Sequence, residues 1–266
     1  MDMMNLIRTR KSVRTFDGRA VTDADREKLT DYLQTITNPF AIPVTFVLLD
    51  AKEHGLSSPV IQGEQLYIAG KVPKGEHCAE AFGYAFEKMV LFAWSLGIGT
   101  TWIGGTMKRA AFEQAAGLKD SEIMPCISPL GYPAAKRSLK EIAMRTGVRA
   151  DKRLDDRTLF FANDFATPLH AADDALNHAL EAVKLAPSAV NKQPWRIVQC
   201  GNAYHFYEKH SIGGADAAWD VQKVDLGIAL CHFMTVAGGT LSIAQPDLDA
   251  AQDTEYIATV TIEASV

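Results

Sequence analysis

Three short segments carry side chains whose types and spacing could do chemistry. Arg10-Lys11-Ser12-Val13-Arg14 gathers three cations and a hydroxyl within five residues. Guanidinium groups grip phosphate oxygens in pairs and a serine hydroxyl adds a donor, so the pentad suits one phosphomonoester, although a solvated charged loop has the same composition. In Ala186-Pro-Ser-Ala-Val-Asn-Lys-Gln-Pro-Trp195 two prolines stiffen the chain. There Ser188, Asn191 and Gln193 offer short groups able to pair with the edge of a planar ring. The same decapeptide also reads as a rigid connection with a Trp anchor. Thr101-Trp-Ile-Gly-Gly-Thr106 exposes bare backbone at Gly104 and Gly105, whose N–H groups can approach a ligand closely, though Gly pairs after helices are common.

Other signatures are weak. Gly97-x-Gly99 follows a helix and lacks the third glycine of a dinucleotide turn; no G-x-S-x-G or H-E-x-x-H occurs. The seven histidines are scattered, His205 and His210 being nearest neighbours, and read as surface or satisfied groups. The run Asp151 to Arg157 reads as a solvated stretch unless Lys152 and Arg153 turn inward.

The segments need elements to hold them. A helix near Met3 to Thr9 leads into the pentad. Thr22, with Asp25 three residues on, marks a second helix whose Leu29, Leu33 and Ile36 keep helical spacing until Asn38-Pro39. Val44 to Leu49 and Gln65 to Val72 read as strands, and Ala79 to Leu96 as a long core helix capped by Gly97. A short helix through Ala111 and a buried strand from Pro125 to Tyr132 follow. The second part repeats this order. A helix runs from Ala172 to Ala186, strands from Trp195 to Cys200 and Tyr204 to Lys209, and a long helix from Asp220 to Ala237 ends at Gly238-Gly239. Strands from Leu241 to Gln245 and Tyr256 to Glu263 close the series. From helix start to long-helix start the offset is 57 residues in the first part (22 to 79) and 47 in the second (173 to 220). The evidence for a repeat is therefore the order of elements, not identity. Between the two, Lys136 to Phe165 is basic and lacks a clean period, which suits a crossing segment.

Composition fits a folded, soluble chain. Of 266 residues, 47% are hydrophobic and 22% charged, and 27 basic against 32 acidic side chains leave a net charge of −5. Such a balance argues against nucleic acid as a partner. Cys78, Cys126, Cys200 and Cys231 lie far apart without a C-x-x-C pair, so they read as free thiols of a reducing compartment. Glu80, Glu87 and Lys88 interrupt the longest apolar stretch, which excludes a membrane span and reads as a helix with one wet edge. No export signal stands at the start, and a cytoplasmic location is expected.

Taken together, the three segments resemble the nitroreductase family of FMN-dependent oxidoreductases. Arg10-Lys11-Ser12-Val13-Arg14-Thr15-Phe16 is similar to the family's Arg-Arg-Ser-x-Arg-x-Phe opening, and Pro187 to Trp195 to its Pro-Ser-x-x-Asn-x-Gln-Pro-Trp segment. Leu96 to Gly105 looks like its flavin-ring turn and Leu130 to Pro133 like its Leu-Gly-Tyr-Pro strand end. Family members are intertwined homodimers with FMN at the interface, one motif coming from each subunit. Here the two motifs stand about 170 residues apart in one chain. Asn38-Pro39-Phe40 occupies the place of a first Pro-Ser segment, and no Arg-rich opening precedes Asp173.

The resemblance therefore implies an α+β, nitroreductase-like fold in which two degenerate halves form a pseudo-homodimer. Residues 1–135 would be the first half, 136–171 a wrapping connector and 172–266 the second half. One FMN pocket is implied. Arg10, Lys11 and Ser12 would grip the phosphate and ribityl chain, with Lys152 and Arg153 as a late basic pair. Arg14 would approach the pyrimidine and Ile103, Gly104 and Gly105 the ring near N5. Pro187, Ser188 and Asn191 would border the ring from the other half, with Gln193 behind. Gly104, Gly105 and Arg14 are the implied catalytic set, and no metal is implied. The family's asparagine and lysine at the pyrimidine edge have no match around Gln62 to Gln65. The implied activity is transfer of hydride from NADH or NADPH through FMN to a small acceptor, such as a nitroaromatic or quinone, by ping-pong turnover. A specialised reduction of a halide or enone would use the same site, and a flavin-binding or sequestering protein without turnover is the alternative. With its interface inside the chain, the protein is expected to be a monomer or weak dimer.

Overall fold

Asp2 opens α1 (Met3–Thr9) by accepting from the Asn5 N–H at 3.0 Å, and Thr22 opens α2 (Asp23–Thr35) by accepting from the Asp25 N–H at 3.2 Å. The computed structural model describes residues 2–171, 173–212 and 219–263. Outside these lie Met1 and Val266, the outer limits of the two expected halves, and Ala172, the expected start of a helix. β1 (Thr45–Asp50) and β2 (Leu66–Pro73) pair antiparallel, Thr45 opposite Lys71 and Asp50 opposite Leu66. After α3 (Cys78–Ser95) the chain reverses through Gly97 at φ +76°, a conformation that favours glycine. α4 (Arg109–Ala115) runs a turn past the expected end at Ala111. β3 (Glu122–Ile123) and β4 (Ile127–Leu130) both pair with β2, completing a four-stranded sheet.

The connector is more regular than its composition suggests. It holds α5 (Leu139–Gly147), α6 (Asp156–Leu159) and β5 (Phe160–Ala162). Ser138 accepts from the Glu141 N–H at 3.2 Å, the Ser-x-x-Glu start of α5. β5 pairs parallel with β6 (Trp195–Cys200), so the connector leaves the first sheet and finishes on the edge of the second. α7 (Asp174–Leu185), β7 (Ala203–Lys209), α8 (Val221–Ala237), β8 (Thr240–Ser242) and β9 (Thr254–Thr261) complete the chain. The second sheet has the order β5-β6-β7-β9-β8. Thus α2-β1-β2-α3-β4 recurs as α7-β6-β7-α8-β9, with β2 between β1 and β4 and β7 between β6 and β9, while α4 is particular to the first half, and β3 pairs with β2 whereas β8 pairs with β9.

The two long helices join the halves. A Cβ on Gly83 would lie 2.1 Å from the Val224 carbonyl oxygen, and one on Gly227 would lie 2.1 Å from the Glu80 carbonyl oxygen. Each glycine stands three residues after the carbonyl that the other faces, which is the reciprocity a twofold-related crossing requires. Side chains at either position would force the helices apart. Around this crossing one hydrophobic cluster takes Phe82, Phe86 and Leu66 from the first half and Phe206, Phe233 and Trp195 from the second. The fold is α+β, with two halves of like element order sharing the main hydrophobic cluster.

Glu80 and Glu87 do not lie on a wet edge. They are 2% and 0% exposed because α8 covers the face of α3 that carries them. The Glu87 carboxylate lies 2.9 Å from His232 Nε2, and the opposite ring nitrogen lies 2.7 Å from the Ala182 carbonyl oxygen. A carbonyl only accepts, so Nδ1 carries a hydrogen and donates it to Ala182. Glu80 contacts His77 Nδ1 at 3.4 Å, and burial pushes its carboxyl above the usual range. Among the described residues no helix is long and apolar enough to cross a membrane.

Candidate functional site

A cleft of about 530 Å³ opens where the two halves meet. The first half contributes Arg10, Lys11, Ser12 and Arg14, and also Ile103, Gly104 and Gly105; the second contributes Pro187, Ser188 and Asn191. Segments at opposite ends of the sequence thus face one space. The pentad is stitched to the end of α3: the Val13 N–H donates to the Thr100 carbonyl at 2.8 Å, and the Val13 side chain fills the space a Cβ on Gly99 would need. The glycine turn is fixed by Arg109, which donates to the Gly104 carbonyl and to the Met124 carbonyl, each at 2.6 Å. The N–H groups of Gly104 and Gly105 have no protein acceptor among the described residues.

The Pro-Ser segment is held in an unusual conformation. Val190, Asn191 and Gln193 have φ of +43°, +58° and +52°, where non-glycine residues, and β-branched ones above all, are strained. Side chains of the segment and its neighbours hold that shape. Ser188 Oγ accepts from the Gln193 N–H at 2.9 Å, and the Asp225 carboxylate accepts from the Ala189 N–H at 3.0 Å. Asn191 Nδ2 donates to the Arg149 carbonyl at 2.7 Å and the Lys152 carbonyl at 2.9 Å. Gln193 Oε1 accepts from the Leu154 N–H at 2.9 Å.

These bonds revise several expected roles. Gln193, 2% exposed, sits behind the cleft as expected, but it lines no part of it and so is not among the residues that could touch a cofactor there. Asn191 borders the cleft, but its amide donors are directed to the connector rather than to a ring. Lys152 and Arg153 do not act as a pair: Lys152 is exposed and contributes its carbonyl, whereas Arg153 turns into the cleft. The Lys152 N–H closes a turn onto the Arg149 carbonyl at 2.9 Å, and Arg153 follows that turn into the cleft.

Four guanidinium groups, those of Arg10, Arg14, Arg145 and Arg153, line the cleft. The Arg10 side chain is 6% exposed. Burial lowers the pKa of Arg10, Arg14 and Arg153, and the charge of Arg145 adds to the effect in each. Among the described residues, the buried Nε–H donors of Arg10 and Arg153 have no hydrogen-bond partner, the nearest carboxylate oxygen to Arg10, on Glu87, being 3.8 Å away. Asp151 pairs with Arg145 at the rim. Arg153 also donates through one terminal nitrogen to the Ala150 and Lys152 carbonyls at 2.8 and 3.1 Å, but buried Nε–H groups left without acceptors are costly, and an anion of phosphate type would relieve them.

Arg145, Trp219 and Asp225 also line the cleft and were not expected from sequence. Arg145 was findable. Ser138-x-x-Glu141 announces α5, and Arg145 lies one turn beyond Glu141 on the same face. Glu141 Oε2 docks that face on the pentad, accepting from Thr15 Oγ1 at 2.9 Å and the Arg14 N–H at 3.3 Å. Trp219 and Asp225 have no local signal. Asp225 is 3% exposed, and burial pushes its carboxyl well above the ordinary aspartate value.

A family model described as "Putative TM nitroreductase" matches residues 2–237. Among solved structures, the "putative nitroreductase" of Thermotoga maritima MSB8 is 21% identical, with a TM-score of 0.61 over 98% of this chain and 94% of that one. A nitroreductase family protein of Clostridium novyi NT is 18% identical, with a TM-score of 0.44 over 51% of this chain and 87% of its own. An FMN-dependent nitroreductase of Clostridium difficile R20291 is 16% identical, with a TM-score of 0.43 over 50% of this chain and 88% of its own. No curated protein matches by sequence.

Proposed function

The chain belongs to the nitroreductase family, and from that premise we propose that it is an FMN-dependent oxidoreductase that uses NADH or NADPH to reduce a small acceptor such as a nitroaromatic or a quinone. The observation that carries this reading is the pair of buried, unpartnered Nε–H donors of Arg10 and Arg153, set beside Arg14 and Arg145. A cofactor phosphate supplies the charge and the oxygens these donors lack.

Arg10, Lys11, Ser12, Arg145 and Arg153 would hold the phosphate end. Arg14 would lie toward the pyrimidine, where a cation favours negative charge on a reduced ring, and the Gly104 and Gly105 N–H groups would face the ring edge. Pro187 and Ser188 would close it from the second half. FMN, when bound, supplies two-electron chemistry between a nicotinamide and the acceptor. Around it the chain orients and excludes water: Ile103, Trp219 and Ile228 form an apolar wall. Donor and acceptor would take turns in one cleft, giving ping-pong kinetics.

A second reading, a flavin-holding protein without turnover, is favoured by one observation. Of the segment from residue 58 to 65, only Val60 reaches the cleft, so no cation stands where the family resemblance calls for a lysine.

An absorbance spectrum before and after addition of FMN, followed by anaerobic NADH or NADPH, tests both readings. One FMN per chain is expected, bleached by the nicotinamide and restored by a quinone. Failure to take up FMN would overturn the cofactor assignment. Bound FMN that stays oxidised with either nicotinamide, yet is reduced by dithionite, would overturn turnover in favour of the second reading.

A further inference from the structure

Away from the arginine-lined cleft, the α3–α8 pair borders another hollow of about 460 Å³, walled by His77, Glu80, Asp220, Lys223, Glu255 and Tyr256. Beside its Asp220 wall, three side chains of metal-ligand type converge. Glu208 stands near the end of β7, His210 just beyond it, and Asp220 at the cap of α8; one donor atom from each lies within 4.8 Å of the other two. Glu208 is the anomaly. Its side chain is 0% exposed, and neither carboxylate oxygen has a hydrogen-bond partner among the described residues. Its Oε1 lies 3.0 Å from His210 Nδ1, in a geometry that makes no hydrogen bond.

A buried carboxylate with no hydrogen-bond donor among the described residues is among the costlier arrangements in a folded chain, and it calls for a cation. The nearby lysine does not supply one directly: Lys223 Nζ is paired at 2.7 Å with Glu255, and Glu255 also approaches His210 Nε2 at 3.6 Å. Asp220 uses one oxygen to cap α8, accepting from the Gln222 N–H at 2.7 Å, which fixes its position and leaves the other oxygen. His210 is 45% exposed, so an ion has a route from solvent.

We propose that Glu208, His210 and Asp220 form a binding site for a divalent first-row transition-metal cation, Zn²⁺ or Mn²⁺. One imidazole and two carboxylates are a borderline-to-hard donor set that suits these ions, and three protein ligands leave a position for water. The cation fills the place that the unpartnered Glu208 carboxylate requires and ties the end of β7 to the start of α8.

The test uses the full chain after chelator treatment. Zn²⁺ binding is followed by titration calorimetry and Mn²⁺ binding by electron paramagnetic resonance, with thermal unfolding in parallel. One saturable site is expected for at least one of the two ions, with a rise in the unfolding temperature. His210→Ala and Asp220→Asn should each weaken it by roughly tenfold or more while leaving FMN uptake unchanged. His210 is half exposed, so its variant reports on the ligand without disturbing the core; Glu208→Gln, of the same shape, is the second check. Absence of saturable binding for both ions would overturn the proposal, as would variants that bind like the unaltered chain.

Discussion

Two hollows flank the α3–α8 crossing, and they are built from equivalent parts. The first is lined by the start of α8 and the turn that follows α3; the second is lined by the start of α3 and the segment that follows α8. Into the first, the chain delivers the arginine pentad from one half and the Pro-Ser segment from the other. The second receives neither, and carries Glu76, Glu80, Asp220 and Glu255 against Lys223 and His77. One framework therefore presents a cationic cleft and an acidic one. A pseudo-symmetric fold supplies two similar spaces, but the short segments placed beside them decide which anion or cation each can hold.

The largest effect should come from removing a cation from the first cleft. Arg10→Ala is expected to weaken FMN binding by about 1.5 to 3 kcal/mol, the worth of a charge-assisted hydrogen bond, in a fluorescence titration that otherwise gives one site per chain. Two equivalent sites would erase the contrast between the hollows. Arg14→Gln should impair reduction by nicotinamide more than it impairs binding.

Crowding sharpens the contrast further. Nothing lies within 4 Å of a Cβ built on Gly105, whereas one on Gly104 meets Cys126 Sγ at 3.3 Å. Gly105→Val should leave the unfolding temperature unchanged and still lower FMN affinity by about 1 to 3 kcal/mol. Gly104→Val should affect both.

Asp225 gives a pH test of the first cleft. Its folded pKa lies above its unfolded one, so below the unfolded value, about 3.9, both states are protonated and the group contributes no penalty. As pH rises through that value the unfolded chain releases its proton first, and the native state loses stability until the folded pKa is passed. Each pH unit between the two values is worth about 1.4 kcal/mol. Urea unfolding from pH 4 to 7 should show the unaltered chain losing stability relative to Asp225→Asn, which can still accept from the Ala189 N–H.

A smaller loss is expected where an amide ties the second half to the connector. Asn191→Ala removes two hydrogen bonds to the connector and should lower stability by about 1 to 2 kcal/mol, with a weaker FMN titration because Arg153 loses its anchor. The smallest expected effect is none at all. Since the interface between halves lies within the chain, light scattering should give a monomer or weak dimer, and the unfolding temperature should not change on dilution. An obligate dimer exchanging helices would break the pseudo-dimer reading.

What the sequence determined by itself was local. The caps at Thr22 and Gly97, the order of elements, the pentad and the Pro-Ser segment were legible because turn chemistry and hydrophobic period act over a few residues. Ser138-x-x-Glu141 was equally local, and it would have placed α5 and Arg145. The tertiary structure decided everything that depends on a distant neighbour. Glu87 looked like a solvent-edge residue because its partner, His232, stands 145 positions later on α8. Of Lys152 and Arg153, only the fold could select which enters the cleft, since Asn191 and Gln193 of the second half hold that stretch of the connector's backbone. The unpartnered donors of Arg10 and the unpartnered carboxylate of Glu208 are likewise properties of burial, and burial is fixed only when both halves have packed.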